Sequence, residues 1–169
     1  MTSLRLRQAT RDDLPSLMDL ETAAFATDRI ARRSWLELLA SPAAAVTVVA
    51  EGPAVIGCSV VLRNARTRVA RLYSIAVSRQ ARRQGIARLL IEDAAHRAGR
   101  AGATELRLET RFDNLPAQRL FERSGFRPFK RVAGYYQDGA EAIRYRRPVS
   151  PPHRDDPAPP HESRPCQAK

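Results

Sequence analysis

The 169-residue chain predicts an α/β fold, a mixed central sheet of about seven strands flanked by about four helices. Three observations carry that expectation. Apolar residues alternate along the chain between period two and helical spacing. A dense apolar run at 72–77 is followed by a helical pattern and then by a second strand-like stretch around Leu106, the order from which parallel neighbours are built. Most glycines and prolines fall at the edges of these runs, as turn residues do.

Leu4-Arg5-Leu6-Arg7 alternates apolar and polar residues, with Gln8 and Ala9 leading out, and predicts a first, half-exposed strand. Thr10-x-x-Asp13 has the form of a helix-capping start, and Leu14, Leu17, Met18 and Phe25 supply the stripe of a first helix. Trp35, Leu38 and Leu39 repeat that spacing after Arg32-Arg33-Ser34. Residues 45–50 and 54–62 read as strands joined by Glu51-Gly52-Pro53, a hairpin turn by composition. A polar turn at 64–68 then enters the central strand, where Leu72, Ile75 and Val77 are the apolar positions.

The residues after that strand, Ser78-Arg79-Gln80-Ala81-Arg82-Arg83-Gln84, cannot be buried as a group. They lead to Gly85, beyond which Ile86, Leu89, Leu90, Ala94 and Ala98 recur at helical spacing, so Gly85 stands at or just before a helix start. Gly99 and Gly102 are expected to stop this helix. Leu106 and Leu108 alternate with Arg107 and Glu109 in a strand parallel to the one holding Ile75. Asn114 reads as the N-cap of a further helix, with Pro116 in its first turn and Gly125 at its end. Residues 126–132 and 142–146 read as two final strands around a 135–139 loop. The Pro-rich stretch 148–169 is expected to be a disordered tail behind a single domain at 1–147.

The net charge of +11 is almost wholly arginine, since Lys130 and Lys169 are the only lysines. Such a balance favours anionic partners such as nucleotide-like cofactors. The arginines are spread along the chain without aromatic interleaving, so no specific nucleic-acid partner is expected. Cys58 and Cys166 match no metal-ligand spacing, and the three histidines do not cluster with them, so neither a metal nor a disulfide framework is expected. Without a long apolar run the expectation is a soluble, cytoplasmic chain with no membrane partner. The sequence gives no handle on oligomeric state.

A helix start carries unpaired N–H groups and a partial positive charge, and with Arg82, Arg83 and Arg88 nearby it suits a phosphate or pyrophosphate. The plainer alternative is a solvated loop with a glycine tolerated at a helix start. Arg82-x-x-Gly85-x-Ala87 after Ile75-Ala76-Val77 resembles the acyl-CoA pyrophosphate loop of the GNAT superfamily of N-acetyltransferases. Asn114-x-x-Ala117-x-x-Leu120-Phe121-Glu122-x-x-Gly125-Phe126 resembles the family's later signature. The likeness covers 4–147 and is greatest to the ribosomal-protein alanine N-acetyltransferases, which also carry a Tyr-Tyr pair like Tyr135-Tyr136.

The resemblance implies splayed parallel central strands and acetyl-CoA as co-substrate. It also implies an amine acceptor, either a peptide N-terminus or a small molecule, with the first two helices overhanging its site. Ile75, Ala76 and Val77 would hold the pantetheine arm, and the Val77 N–H would face the developing oxyanion. Arg82, Arg83, Gln84, Gly85, Ile86 and Ala87 would hold the pyrophosphate. Glu109 matches the general base, and its plain alternative is an ion pair with Arg107 or Arg111. Asn114 either hydrogen-bonds the cofactor or caps its helix. Where the family usually has a tyrosine that protonates the thiolate, this chain has Phe121, which either packs against the thioester or belongs to the core. Tyr135 and Tyr136 either line the acceptor site or are surface packing.

Overall fold

In a computed structural model, which describes residues 3–151, Leu4–Gln8 forms strand β1 and Leu14–Ala24 helix α1. The chain continues through α2 (Arg32–Ala40), β2 (Ala44–Glu51), β3 (Ala54–Arg63), β4 (Val69–Val77) and α3 (Ile86–Arg100). It ends with β5 (Glu105–Arg111), α4 (Leu115–Arg123), β6 (Arg127–Val132) and β7 (Ala142–Pro148). The strands form one seven-stranded sheet in the order β1-β2-β3-β4-β5-β7-β6. All pairings are antiparallel except β4 with β5, which is parallel, so the mixed α/β architecture is the one expected.

Helices lie on both faces. Leu14, Leu17 and Trp35 pack α1 and α2 onto Val46, Val48, Val60 and Ala76. Ile91, Ala94, Ala98 and Phe121 pack α3 and α4 onto Leu72, Leu106 and Leu108 on the other face. Leu17 and Trp35 are wholly buried. Fully burying a side chain such as Leu17 contributes about 1.5–3 kcal/mol.

Two irregularities in β4 set the geometry of its far end. Val60 pairs with Ser74 and Val61 with Leu72, so Tyr73 is one residue too many against β3. Leu72 and Ala76, four apart, would share a face in a regular strand, yet Leu72 packs with α3 and Ala76 with α1 and α2. The bulge turns the strand over. The pairing of β4 with β5 is also short: Val69 with Glu105, Ala70 with Leu106, Arg71 with Arg107, and then it stops. Beyond that rung the two strands part.

The ends of the helices follow the sequence chemistry, with one exception. Thr10 N–H donates to the Asp13 carboxylate at 2.8 Å, and the Asn114 side chain accepts from Ala117 N–H at 3.2 Å. Gly125, at φ +86, closes α4 in the left-handed conformation, with Phe126 N–H on the Phe121 carbonyl. Gly102, at φ +89, follows the end of α3, but Gly99 lies inside the helix, where a Cβ would run into the Ser150 carbonyl. Gly99 is there for close approach, not for a stop. Pro148, expected at the head of the tail, instead pairs with Glu105, and Val149 N–H bonds Thr104 O. The remainder of the expected tail, 152–169, lies outside the described residues.

Candidate active site

The link from β4 to α3 is anchored on one side only. Ala81, at the end of a one-turn helix, is buried with Ile86 and Leu90, while Arg82, Arg83, Gln84 and Gly85 are exposed. Arg83 and Gly85 both have left-handed backbone, φ +62 and +79. For Arg83 that conformation costs roughly 1–2 kcal/mol. No side chain caps α3, whose first bond runs from Leu89 N–H to Gly85 O at 3.0 Å. The N–H groups of Gly85, Ile86, Ala87 and Arg88 precede it and have no acceptor in the helix. A Cβ built on Gly85 meets nothing within 4 Å. The space beside the Gly85 Cα is open.

Ser78 N–H donates to Ile56 O on β3 at 2.8 Å. Because backbone groups alternate along a strand, Val77 and Ile75 turn theirs the other way, toward the gap that β5 leaves, while Ala76 faces β3. An extended chain laid in that gap has strand-like hydrogen-bonding partners.

Glu109 stands on β5 at the same gap, two residues past the last paired rung. Its Oε2 accepts from Arg71 Nε at 2.8 Å and its Oε1 from Arg144 Nε at 3.2 Å. Arg71 also donates to Tyr135 Oη at 2.5 Å. Tyr135 and Tyr136 meet edge to face, with centroids 5.0 Å apart. Burial, and then the charge of Glu109, raise the Tyr135 phenol, and burial pushes Tyr136 up to about 12. Both therefore keep their protons at neutral pH. Asp28, between α1 and α2, accepts from Gln137 N–H at 3.1 Å, joining that loop to the one between β6 and β7. Below them Glu21 is buried, accepting from Ile30 N–H at 3.0 Å and from Ser74 Oγ at 3.3 Å.

An uncapped helix start beside a parted parallel pair, with a carboxylate at the parting, is the arrangement the sequence motifs implied. The acetyltransferase (GNAT) family model matches residues 8–126. The chain belongs to the GNAT family. It is 39% identical over 71 residues to N-alpha-acetyltransferase 30 of Schizosaccharomyces pombe, 42% of this chain and 47% of that protein. It is 39% identical over 79 residues to an N-alpha-acetyltransferase of Saccharolobus solfataricus, 46% of this chain and 47% of that one. The matched part of the chain thus spans about half the length of these relatives. Among solved structures, the ribosomal-protein-S18-alanine N-acetyltransferase from Escherichia coli superposes with a TM-score of 0.78 over 90% of this chain and 98% of that one, at 23% identity. Ard1 from Thermoplasma volcanium gives 0.79 over 86% and 97%, at 24%. The fold is that of the GNAT enzymes.

In this GNAT chain the motif residues divide into two groups. Ile75, Val77 and the 82–87 loop border the gap and the helix start, and Glu109, at the parting of the strands, is linked through Arg71 to Tyr135 and its neighbour Tyr136. Asn114 and Phe121 are engaged elsewhere. The Asn114 carbonyl caps α4, and Phe121 is buried against Phe126 and Tyr145 at centroid distances of 6.0 and 6.3 Å. The partners of Glu109 are not its neighbours along the strand. Arg107 pairs with Glu105, and Arg111 with Asp113 and Asp138. Arg71, Arg144, Glu21 and Asp28 carry no signal in the sequence; each meets its partner through a fold contact that no local spacing encodes. Among the described residues, no group of three or more His, Cys, Asp and Glu lies together as a metal site would need. No helix among them is long and apolar enough to cross a membrane.

Proposed function

We propose that the protein is an acetyl-CoA-dependent N-acetyltransferase acting on a primary amine at a protein N-terminus. The observation that carries this is the parting of β4 and β5 after Arg71 and Arg107, beside an α3 start with no capping side chain. The open space over Gly85 and the four leading N–H groups fit a diphosphate, and the exposed Arg82 and Arg83 add charge beside it. The outward N–H and C=O groups of Ile75 and Val77 fit the amides of a pantetheine arm.

Acetyl-CoA supplies the activated acyl group as a thioester. In this reading the Val77 N–H, turned away from β3 toward the gap, donates to the carbonyl oxygen as charge builds there. Glu109 takes a proton from the substrate ammonium, directly or through water; the free amine then attacks the thioester carbon, the C–N bond forms, and the C–S bond breaks to release coenzyme A as a thiolate. Tyr135 and Tyr136, in the β6–β7 loop that Asp28 ties to the α1–α2 loop, are assigned to the acceptor. Acceptance of a protein N-terminus rather than a small amine is favoured by the relatives named as N-alpha-acetyltransferases. A cytoplasmic location and a dispensable tail beyond residue 151 belong to the same proposal.

A second reading, an acyl-CoA-binding protein with slow turnover, is favoured by Phe121, which is buried in the core and has no proton to give a thiolate. Thiol release from acetyl-CoA with a panel of peptides and small amines separates the readings. Release with peptides supports the first. Tight acetyl-CoA binding without release supports the second.

A further inference from the structure

The strands past the gap carry a feature that the linear sequence hides. Leu106 and Leu108 face the core, so Glu105, Arg107 and Glu109 occupy the opposite face of β5. On that face Arg71 is registered with Arg107, Arg107 with Arg146, and Arg146 with Arg127. Four arginines on four adjacent strands stand in one row, about 14 Å long at the usual strand spacing. Like charges directly opposite one another across a sheet destabilise it, so the row does not serve the fold. The next row adds Arg144 and Lys130 beside Glu109.

The available counter-charge is small. Glu105 pairs with Arg107, and Glu109 serves both Arg71 and Arg144. Among the described residues Arg127, Lys130 and Arg146 have no acidic partner, and all three are exposed. Phe129, also exposed, lies under both Arg107 and Arg146, each 5.2 Å from the ring centroid, which holds those guanidinium groups over the surface.

We propose that this row seats acidic side chains of the acceptor polypeptide, so that the enzyme selects N-termini followed closely by Asp or Glu. The inference rests on the proposed function and names its substrate class. Position argues for it: the row begins at Arg71, which touches Glu109, so a chain whose amine lies at Glu109 can continue directly onto the arginines. Its length matches about four extended residues. Nucleic acid fits less well, because the one ring in the row is already covered by two guanidinium groups and leaves no succession of stacking faces.

The test uses the full chain and N-terminally free peptides matched except for Asp or Asn at positions 2 to 6. Turnover is measured by thiol release, and binding by anisotropy of labelled peptide in the presence of CoA. The expected result is a preference for the acidic peptides of roughly tenfold in kcat/KM, the size of two or three exposed ion pairs together, declining as salt rises. In Arg127→Gln/Arg146→Gln the ratio of acidic to neutral peptide falls toward one. In Arg100→Gln/Arg123→Gln, with the same net charge, it stays. Equal use and equal binding of the two peptides overturn the proposal, as does a polyuridylate oligomer that binds this face while acidic peptides do not. If acidic peptides bind through Arg127 and Arg146 but no peptide is acetylated, the surface assignment stands and the catalytic reading falls.

Discussion

Arg71 and Glu109 meet at 2.8 Å, Nε to Oε2, just where β4 and β5 cease to pair. Arg71 belongs to the last rung of that pairing, and Glu109 lies two residues beyond Arg107, the partner of Arg71 on it. The contact bridges the start of the gap, and through Arg71 Nη2 it reaches Tyr135 in the β6–β7 loop. The carboxylate is thus tied, through one guanidinium group, to the loop between β6 and β7.

Glu109→Gln keeps an oxygen for one arginine but loses the ability to take a proton. We expect kcat to fall by about a hundredfold or more, with a changed pH profile, while acetyl-CoA affinity by calorimetry stays close to that of the parent. An unchanged rate in a thiol-release assay would remove Glu109 from the mechanism.

Gly85 combines a left-handed backbone with open space beside its Cα. Gly85→Ala is expected to cost about 1 kcal/mol through the left-handed φ of +79 and to weaken acetyl-CoA binding by about tenfold. Gly102, at φ +89 with equally open surroundings, provides the comparison: Gly102→Ala should lose similar stability in urea and leave acetyl-CoA affinity unaltered.

Gly57 sets how closely α3 approaches the sheet. A Cβ there would lie 2.9 Å from Ile86 Cγ2 and 3.2 Å from Leu90 Cδ1. Gly57→Val must push away the first turn of α3, at a cost of about 1–3 kcal/mol. Since Ile86 is the first residue of that helix, calorimetry should show weaker acetyl-CoA binding in a protein that still folds.

Two buried carboxylates give opposite pH signatures. Burial raises the Glu21 carboxyl above its ordinary value, outweighing the bonds from Ile30 N–H and Ser74 that lower it. The folded chain then holds more protons than the unfolded one just above the ordinary glutamate range, so stability falls as pH rises through the raised value. Glu21→Gln should therefore melt higher than the parent at pH 7, with the difference closing toward pH 4. The Arg7 guanidinium holds Asp13 below the usual aspartate range, chiefly through their hydrogen bond. Its contribution is present above the ordinary aspartate value and lost as pH falls through the lowered one. Asp13→Asn should melt lower at pH 7, with the deficit shrinking only in strong acid. A pH series of thermal melts checks both signs.

The elements were legible because their signals are local. Alternation marks β1, the spacing of Ile86, Leu90 and Ala94 marks α3, and Asn114 and Gly125 mark the ends of α4. The bulge was not legible: Tyr73 is a good strand residue, and nothing in a one-dimensional pattern says that β3 provides no partner for it. The arginines that hold Glu109 lie 38 and 35 positions away, whereas Arg107 and Arg111, its neighbours on the same face, have acids of their own. The row from Arg71 to Arg127 has the same origin. Its members look scattered in sequence, and strand register alone assembles them, with the aromatic ring that the linear pattern lacked. Gly99 read as a helix stop because close approach to Ser150 is a tertiary fact.

Coenzyme A binding at the start of α3 and in the gap beside β4 is the point on which the proposed chemistry depends. Amide chemical shifts of the full chain titrated with CoA test it most directly. The largest changes are expected at Gly85, Ile86, Ala87 and Val77. Changes centred instead on the cavity of about 570 Å³ bordered by Leu89, His96 and Ser150, with the 85–87 amides unmoved, would contradict it.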